Sequence, residues 1–141
     1  MTDFVLDNSV AMRWLLVSEK AADQRYAECV LQSLLESEAL VPGLWHLEAA
    51  NVLLGAVDRK TLEIADVERF TVQLESLPVS VDPSTATQAF GHTMSLARAN
   101  RLSSYDAAYL ELAVRRGLPL ATLDKALLKA AKRSGVGIYL M

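Results

Sequence analysis

Five short apolar or alternating runs are separated by segments of helical periodicity, and this alternation constrains the chain more than any other feature. The runs are Phe4-Val5-Leu6, Ala39-Leu40-Val41, Val79-Ser80-Val81, Leu120-Ala121-Thr122-Leu123 and Val136-Gly137-Ile138-Tyr139-Leu140. Apolar strands divided by helices pair in parallel and are covered by helices on both faces. Between the runs, the spacing predicts an apolar helical turn over 10–16 and a helix over 20–37 carrying Ala27, Val30, Leu31, Leu34 and Leu35. Further helices are predicted over 44–59, over 66–77 with Asp66 as N-cap, and over 84–100. A helix over 104–116 is closed by Gly117 and Pro119, and another runs over 125–133. With no repeat, linker or low-complexity segment, residues 1–141 are expected to form one α/β domain. Its functional crevice should lie beyond the carboxyl ends of the strands.

Composition narrows the class. A hydrophobic content of 52% with four prolines and six glycines argues against disorder. A single cysteine, Cys29, excludes an internal disulfide framework and is expected to be a small buried hydrophobe on its helix. The N-terminus, with an acidic Asp3 and a short apolar stretch, does not read as a signal peptide, and no apolar run approaches a bilayer span. A cytoplasmic protein without membrane contact is expected.

Four carboxylates stand where an ordinary domain would not place them. Asp7 closes Phe4-Val5-Leu6 and Asp124 closes Leu120-Ala121-Thr122-Leu123, while Glu48 interrupts the apolar helix around Leu47 and Ala49, and Asp106 precedes Ala107-Ala108-Tyr109-Leu110. A carboxylate drawn out of water must be paired, hydrogen-bonded or bound to a cation. Three of them have a structural alternative. Asp7 and Asp124 suit helix caps, and Asp106 suits a first helical turn within a capping-box-like Ser103-Ser104-Tyr105-Asp106. Capping leaves Glu48 unexplained. Its neighbours at helical spacing are Leu44, Asn51, Val52 and Gly55, and a glycine inside a helix is costly unless something approaches it closely. If the first and fourth strands are neighbours in the sheet, Asp7 and Asp124 converge.

An all-oxygen acidic set suits a hard cation, Mg²⁺ or Mn²⁺, held by few carboxylates and several waters. Such a centre favours displacement at phosphorus, because the metal activates water and offsets charge on phosphoryl oxygens. No nucleophile–base pair competes with this reading. His46 and His92 read as structural or solvated, and Trp14 and Trp45 as core or interface residues.

Val5-Leu6-Asp7-Asn8-Ser9-Val10-Ala11, His46-Leu47-Glu48-Ala49-Ala50-Asn51-Val52-Leu53, Leu102-Ser103-Ser104-Tyr105-Asp106-Ala107-Ala108-Tyr109 and Thr122-Leu123-Asp124 together resemble the PIN-domain ribonucleases. More narrowly, they resemble the VapC toxins of bacterial toxin–antitoxin pairs. The resemblance covers the whole chain in the family's order and spacing, is specific as an ensemble, and shows no departure at the acidic positions. It implies a three-layer α/β/α sandwich with a mainly parallel sheet, a Mg²⁺ or Mn²⁺ cofactor, RNA hydrolysis, a cognate VapB-type antitoxin and a homodimer. By position it implies Asp7 and Asp106 as principal metal ligands, with Glu48 and Asp124 completing the catalytic cluster directly or through water. Ser9 would orient the first carboxylate, and Thr122 and Asn51 would support the ligands from behind.

The net charge of −3 is unevenly spread: residues 1–99 carry 7 Lys and Arg against 14 Asp and Glu, and residues 100–141 carry 7 against 3. The positive part comprises Arg101, Arg115, Arg116, Lys125, Lys129, Lys132 and Arg133. Lys125, Lys129, Lys132 and Arg133 directly follow Asp124, so they are candidates for drawing RNA phosphate toward the acidic centre; a solvated helix surface is the plain alternative. Two other functions compete. Aspartyl-phosphate phosphatases and receiver domains also place Asp after an apolar strand, but Ser9 stands where the former want a second Asp, and Asp7-Asn8 where the latter want adjacent acids. A non-catalytic PIN-like binding module is the third class, and the intact acidic set argues against it.

Overall fold

The computed structural model describes residues 3–141, so the first two residues of the expected 1–141 domain lie outside it. Four strands form one parallel sheet in the order β3-β2-β1-β4: β1 Phe4–Leu6, β2 Ala39–Val41, β3 Val79–Val81 and β4 Leu120–Ala121. Helices flank it, as the alternation predicts. They are α1 Asn8–Ala11, α2 Ala21–Ser33, α3 Trp45–Asp58, α4 Ile64–Glu75, α5 Thr85–Gln88, α6 Met94–Asn100, α7 Ser104–Arg116 and α8 Lys125–Arg133. Phe4, Val5 and Leu6 are fully buried, as a central strand covered on both faces requires. Val5 pairs with Leu40 on one side and Leu120 on the other. Parallel strands share one carboxyl edge, so Asp7, Pro42, Asp82 and Thr122, each next after its strand, emerge along it.

Several local expectations are corrected. The strand expected over 120–123 stops at Ala121, because the next backbone donors turn to side chains: Leu123 N–H bonds Ser9 Oγ at 2.9 Å and Asp124 N–H bonds Thr122 Oγ1 at 3.1 Å. The run over 136–140 contributes one parallel bridge, Leu120 to Ile138, and its Leu140 has a left-handed φ of 59° that ends pairing. The helix over 84–100 is interrupted at Ala89–Thr93 by a wider π turn, whose extra residue rotates the following face; Thr93 is buried while Phe90 is 93% exposed. Asp66 is not the N-cap of α4. Glu63 holds that place in extended conformation, and its N–H bonds Asp66 Oδ2 at 3.0 Å from the third helical position.

Cys29 is exposed. Helix α2 buries Tyr26, Ala27 and Val30, and two residues beyond Ala27 is more than half a turn around the helix, so Cys29 faces outward. The close approach expected at Gly55 comes from its own helix, since a β-carbon there would meet Arg59 Nη1 at 3.2 Å.

Arg115 does not belong to the positive surface. Its guanidinium forks onto Asp82 (2.6 and 3.2 Å) and Glu111 (2.8 and 3.0 Å), two carboxylates that are 2% and 5% exposed. This joins the carboxyl edge of β3 to α7. Breaking a buried ion pair leaves charge without compensation, and costs more than the pair itself contributes. Arg115→Met should therefore lower the free energy of unfolding by about 3 kcal/mol or more at pH 7. Urea denaturation checks this, and a loss below about 1 kcal/mol would show the pair to be dispensable.

Candidate active site

Asp7 leaves β1 at the centre of the carboxyl edge and is only 7% exposed. Its backbone carbonyl opens α1, accepting from Val10 N–H at 3.1 Å, but its side chain makes no capping bond. The carboxylate is engaged elsewhere. Ser9 Oγ donates to Oδ2 at 2.6 Å and Thr122 Oγ1 donates to the same oxygen at 2.7 Å. Each hydroxyl also accepts a backbone N–H, from Leu123 and Asp124 respectively, so both are oriented from behind. Ser9 and Thr122, expected to support the first carboxylate, both bond it.

Glu48 lies on the first turn of α3, half-buried beside the buried stripe of Trp45, Ala49 and Leu53. Tyr109 donates its hydroxyl proton to Glu48 Oε1 at 2.5 Å. Asn8 Nδ2 donates to the Trp45 carbonyl at 3.0 Å and to the Tyr109 oxygen at 3.4 Å. Asp106 stands on the first turn of α7, where Ser103 Oγ caps the helix by accepting its N–H at 3.1 Å. Asp124 caps α8, accepting Leu127 N–H on Oδ1 at 2.9 Å, so its capping alternative is realised as well. Asn51 is exposed, and among the described residues no hydrogen bond ties it to these carboxylates.

The four charges form a connected set. Burial pushes the Asp7 carboxyl up to about 6, against the bonds from Ser9 and Thr122 that favour its charge, and the charges of Asp106 and Glu48 add to the rise. Glu48 is raised first by burial and further by Asp106, with Tyr109 and Asn8 opposing. Asp106 is raised by burial and then by the charge of Asp124. Among the described residues none of the four joins a salt bridge. Negative charge is concentrated there, and among the described residues no side-chain cation lies within ion-pair distance of it.

Among the described residues, no three carboxylate, imidazole or thiol side chains stand close enough to enclose an ion directly. The donor set still fits a hard divalent cation, because Mg²⁺ retains several waters and needs only one or two carboxylates in direct contact. An open cleft of about 540 Å³ is lined by Ser9, Arg13, Lys20, Asp23, Leu123 and Asp124. Lys125, Lys129 and Lys132 are exposed at i, i+4 and i+7 along α8, starting one residue after Asp124; Arg133, also exposed, bonds Asn100 Oδ1 at 3.1 Å. Asn8 and Tyr109 were not anticipated from sequence. The available signal was spacing: Asn8 adjoins Asp7, and Tyr109 lies one helical turn after Asp106 on the same face.

The model of the PIN domain family matches residues 4–133. In three dimensions the chain superposes on PAE2754 from Pyrobaculum aerophilum with a TM-score of 0.65 and 22% identity, covering 92% of this chain and 86% of that one. No curated protein sequence matches it. Among the described residues, no helix is long and apolar enough to cross a membrane.

The raised Asp7 carboxyl sets a pH dependence in the metal-free protein. A group whose folded value exceeds its unfolded value stabilises the fold fully at pH below about 3.8 and loses that contribution as pH rises through about 6. At about 1.4 kcal/mol per pH unit, ionised Asp7 costs roughly 2–3 kcal/mol at neutral pH. With chelator present, Asp7→Asn should be more stable than wild type by that order at pH 7.5. The gap should narrow at pH 5 and vanish near pH 4; melts across this range check it, and a pH-independent difference would contradict it.

Proposed function

This chain belongs to the PIN-domain family, and from that footing we propose that it is a Mg²⁺- or Mn²⁺-dependent endoribonuclease of the VapC toxin type. PIN domains are typically nucleases that use divalent metals. The observation that carries the reading is a buried, hydroxyl-clamped Asp7 that feels the charges of Glu48 and Asp106, with no cation among the described residues paired to any of them. A nucleus of ionised carboxylates in low dielectric calls for an external cation.

Asp7 and Asp106 would hold the ion, with Glu48 and Asp124 completing the set directly or through water. The bound cation supplies Lewis acidity, lowering the pKa of water and offsetting phosphoryl charge. Ser9 and Thr122 hold Asp7 in one orientation, so little reorganisation remains when the ion arrives. The basic stripe of α8 would carry RNA phosphate past Asp124, offsetting the repulsion an acidic pocket exerts on a polyanion. On this reading the partners are a VapB-type antitoxin and a second copy of the chain.

Asp7→Asn and Asp106→Asn should each abolish Mg²⁺-dependent RNA cleavage with the fold intact by circular dichroism, and Glu48→Gln should lower it steeply. Cleavage at the wild-type rate by Asp7→Asn or Asp106→Asn would refute the ligand assignment. A separate measurement addresses α8. In an Asp7→Asn background, Lys129→Gln with Lys132→Gln should reduce the slope of log K against log salt by roughly 0.7 for each phosphate of single-stranded RNA that is no longer neutralised. An unchanged slope over three salt concentrations would make the stripe a solvated face.

A further inference from the structure

Tyr109 is fully buried and occupies core space that a phenylalanine would fill equally well, yet it carries a hydroxyl. A buried hydroxyl costs stability unless it is bonded, and the two side chains bonded to this one both belong to the acidic centre's surroundings. It donates to Glu48 Oε1 at 2.5 Å and accepts from Asn8 Nδ2 at 3.4 Å. Asn8 is anchored in turn: its Nδ2 holds the Trp45 carbonyl at 3.0 Å, while its Oδ1 is buried with no partner among the described residues. Trp45 opens α3, three residues before Glu48. Asn8 follows Asp7 on the chain, and Tyr109 lies one turn after Asp106. The pair therefore registers α3 against both β1 and α7, at the points where those elements present their own carboxylates.

We infer that Tyr109, steadied by Asn8, is a positioning residue that fixes Glu48 relative to Asp7 and Asp106 for cation binding. The inference rests on the metal-dependent reading of the site and adds to it a device outside the acidic set. A carboxylate on a flexible side chain reaches many rotamers; a donor committed to one oxygen selects among them before the ion arrives. Outer partners of this kind are worth about 10–100-fold in metal affinity. The single hydroxyl does this without placing a competing cation in the pocket.

Mn²⁺ binding by calorimetry, with thermal melting in chelator, tests it. Tyr109→Phe keeps the ring and should melt within about 3–4 °C of wild type, while Mn²⁺ affinity falls about tenfold. In a Glu48→Gln background the same substitution should change affinity less than about twofold, because the pathway through Glu48 is already severed. Unchanged affinity in Tyr109→Phe, or an equal loss in both backgrounds, would overturn the inference, the latter marking a general packing role. Asn8→Ser, which leaves the ring in place, must show the same dependence on Glu48, so a poorly folding Tyr109→Phe does not protect the idea. Asp7→Asn is run alongside: if it binds Mn²⁺ as wild type does, the metal reading itself fails, whatever Tyr109 does.

Discussion

The two hydroxyls on Asp7 Oδ2 govern the rest of this structure. Ser9 lies on the turn after β1 and Thr122 directly after β4, so the bonds at 2.6 and 2.7 Å tie together the carboxyl ends of two neighbouring strands. The tie also ends β4, because Ser9 and Thr122 take the N–H groups of Leu123 and Asp124 that a longer strand would have put into the ladder. The chain is thereby released into α8 at Asp124, whose side chain caps that helix. One carboxylate thus sets the end of a strand, the start of a helix and the place of a second carboxylate.

This arrangement trades stability for charge density. Burial and like charges both oppose ionisation of Asp7, whereas the donors Ser9 and Thr122 favour it. At the β3 end of the same edge the opposite solution appears. Asp82 and Glu111 are more deeply buried than Glu48, yet Arg115 bonds both through a forked set of contacts and offsets part of their charge. The fold can supply a cation where buried acids are structural. Among the described residues no such cation pairs with Asp7, Glu48 or Asp106, and that contrast supports the proposal that these acids serve a site.

Much of this was legible in the sequence, for a physical reason. Carboxylates that follow the strands of a parallel sheet surface along one edge, so Asp7 and Asp124 were locatable from apolar runs alone, whereas Ser9 came from the family resemblance. Side chains that act across elements were not. Tyr109 reads as one more core aromatic until α3 is placed against α7, and Arg115 reads as surface charge until β3 brings Asp82 beneath it. Cys29 misled because Val30 and Leu31 follow it directly, although Arg25, Gln32 and Ser33 one turn away are polar and the buried stripe of the helix is narrow. Asn51 was inferred from position beside Glu48, but it is exposed, and Asn8 makes the supporting bonds instead.

The central claim is that Asp7, Glu48, Asp106 and Asp124 surround one place where a divalent cation binds. Paramagnetic Mn²⁺ broadens nearby nuclei steeply with distance, so substoichiometric titration into ¹⁵N-labelled protein locates such a place directly. The account predicts that backbone amides around residues 7–9, 46–49, 105–107 and 122–125 disappear first and together, while those of α4 and α6 persist. Broadening centred on another part of the chain, or none until Mn²⁺ is in large excess, would contradict it.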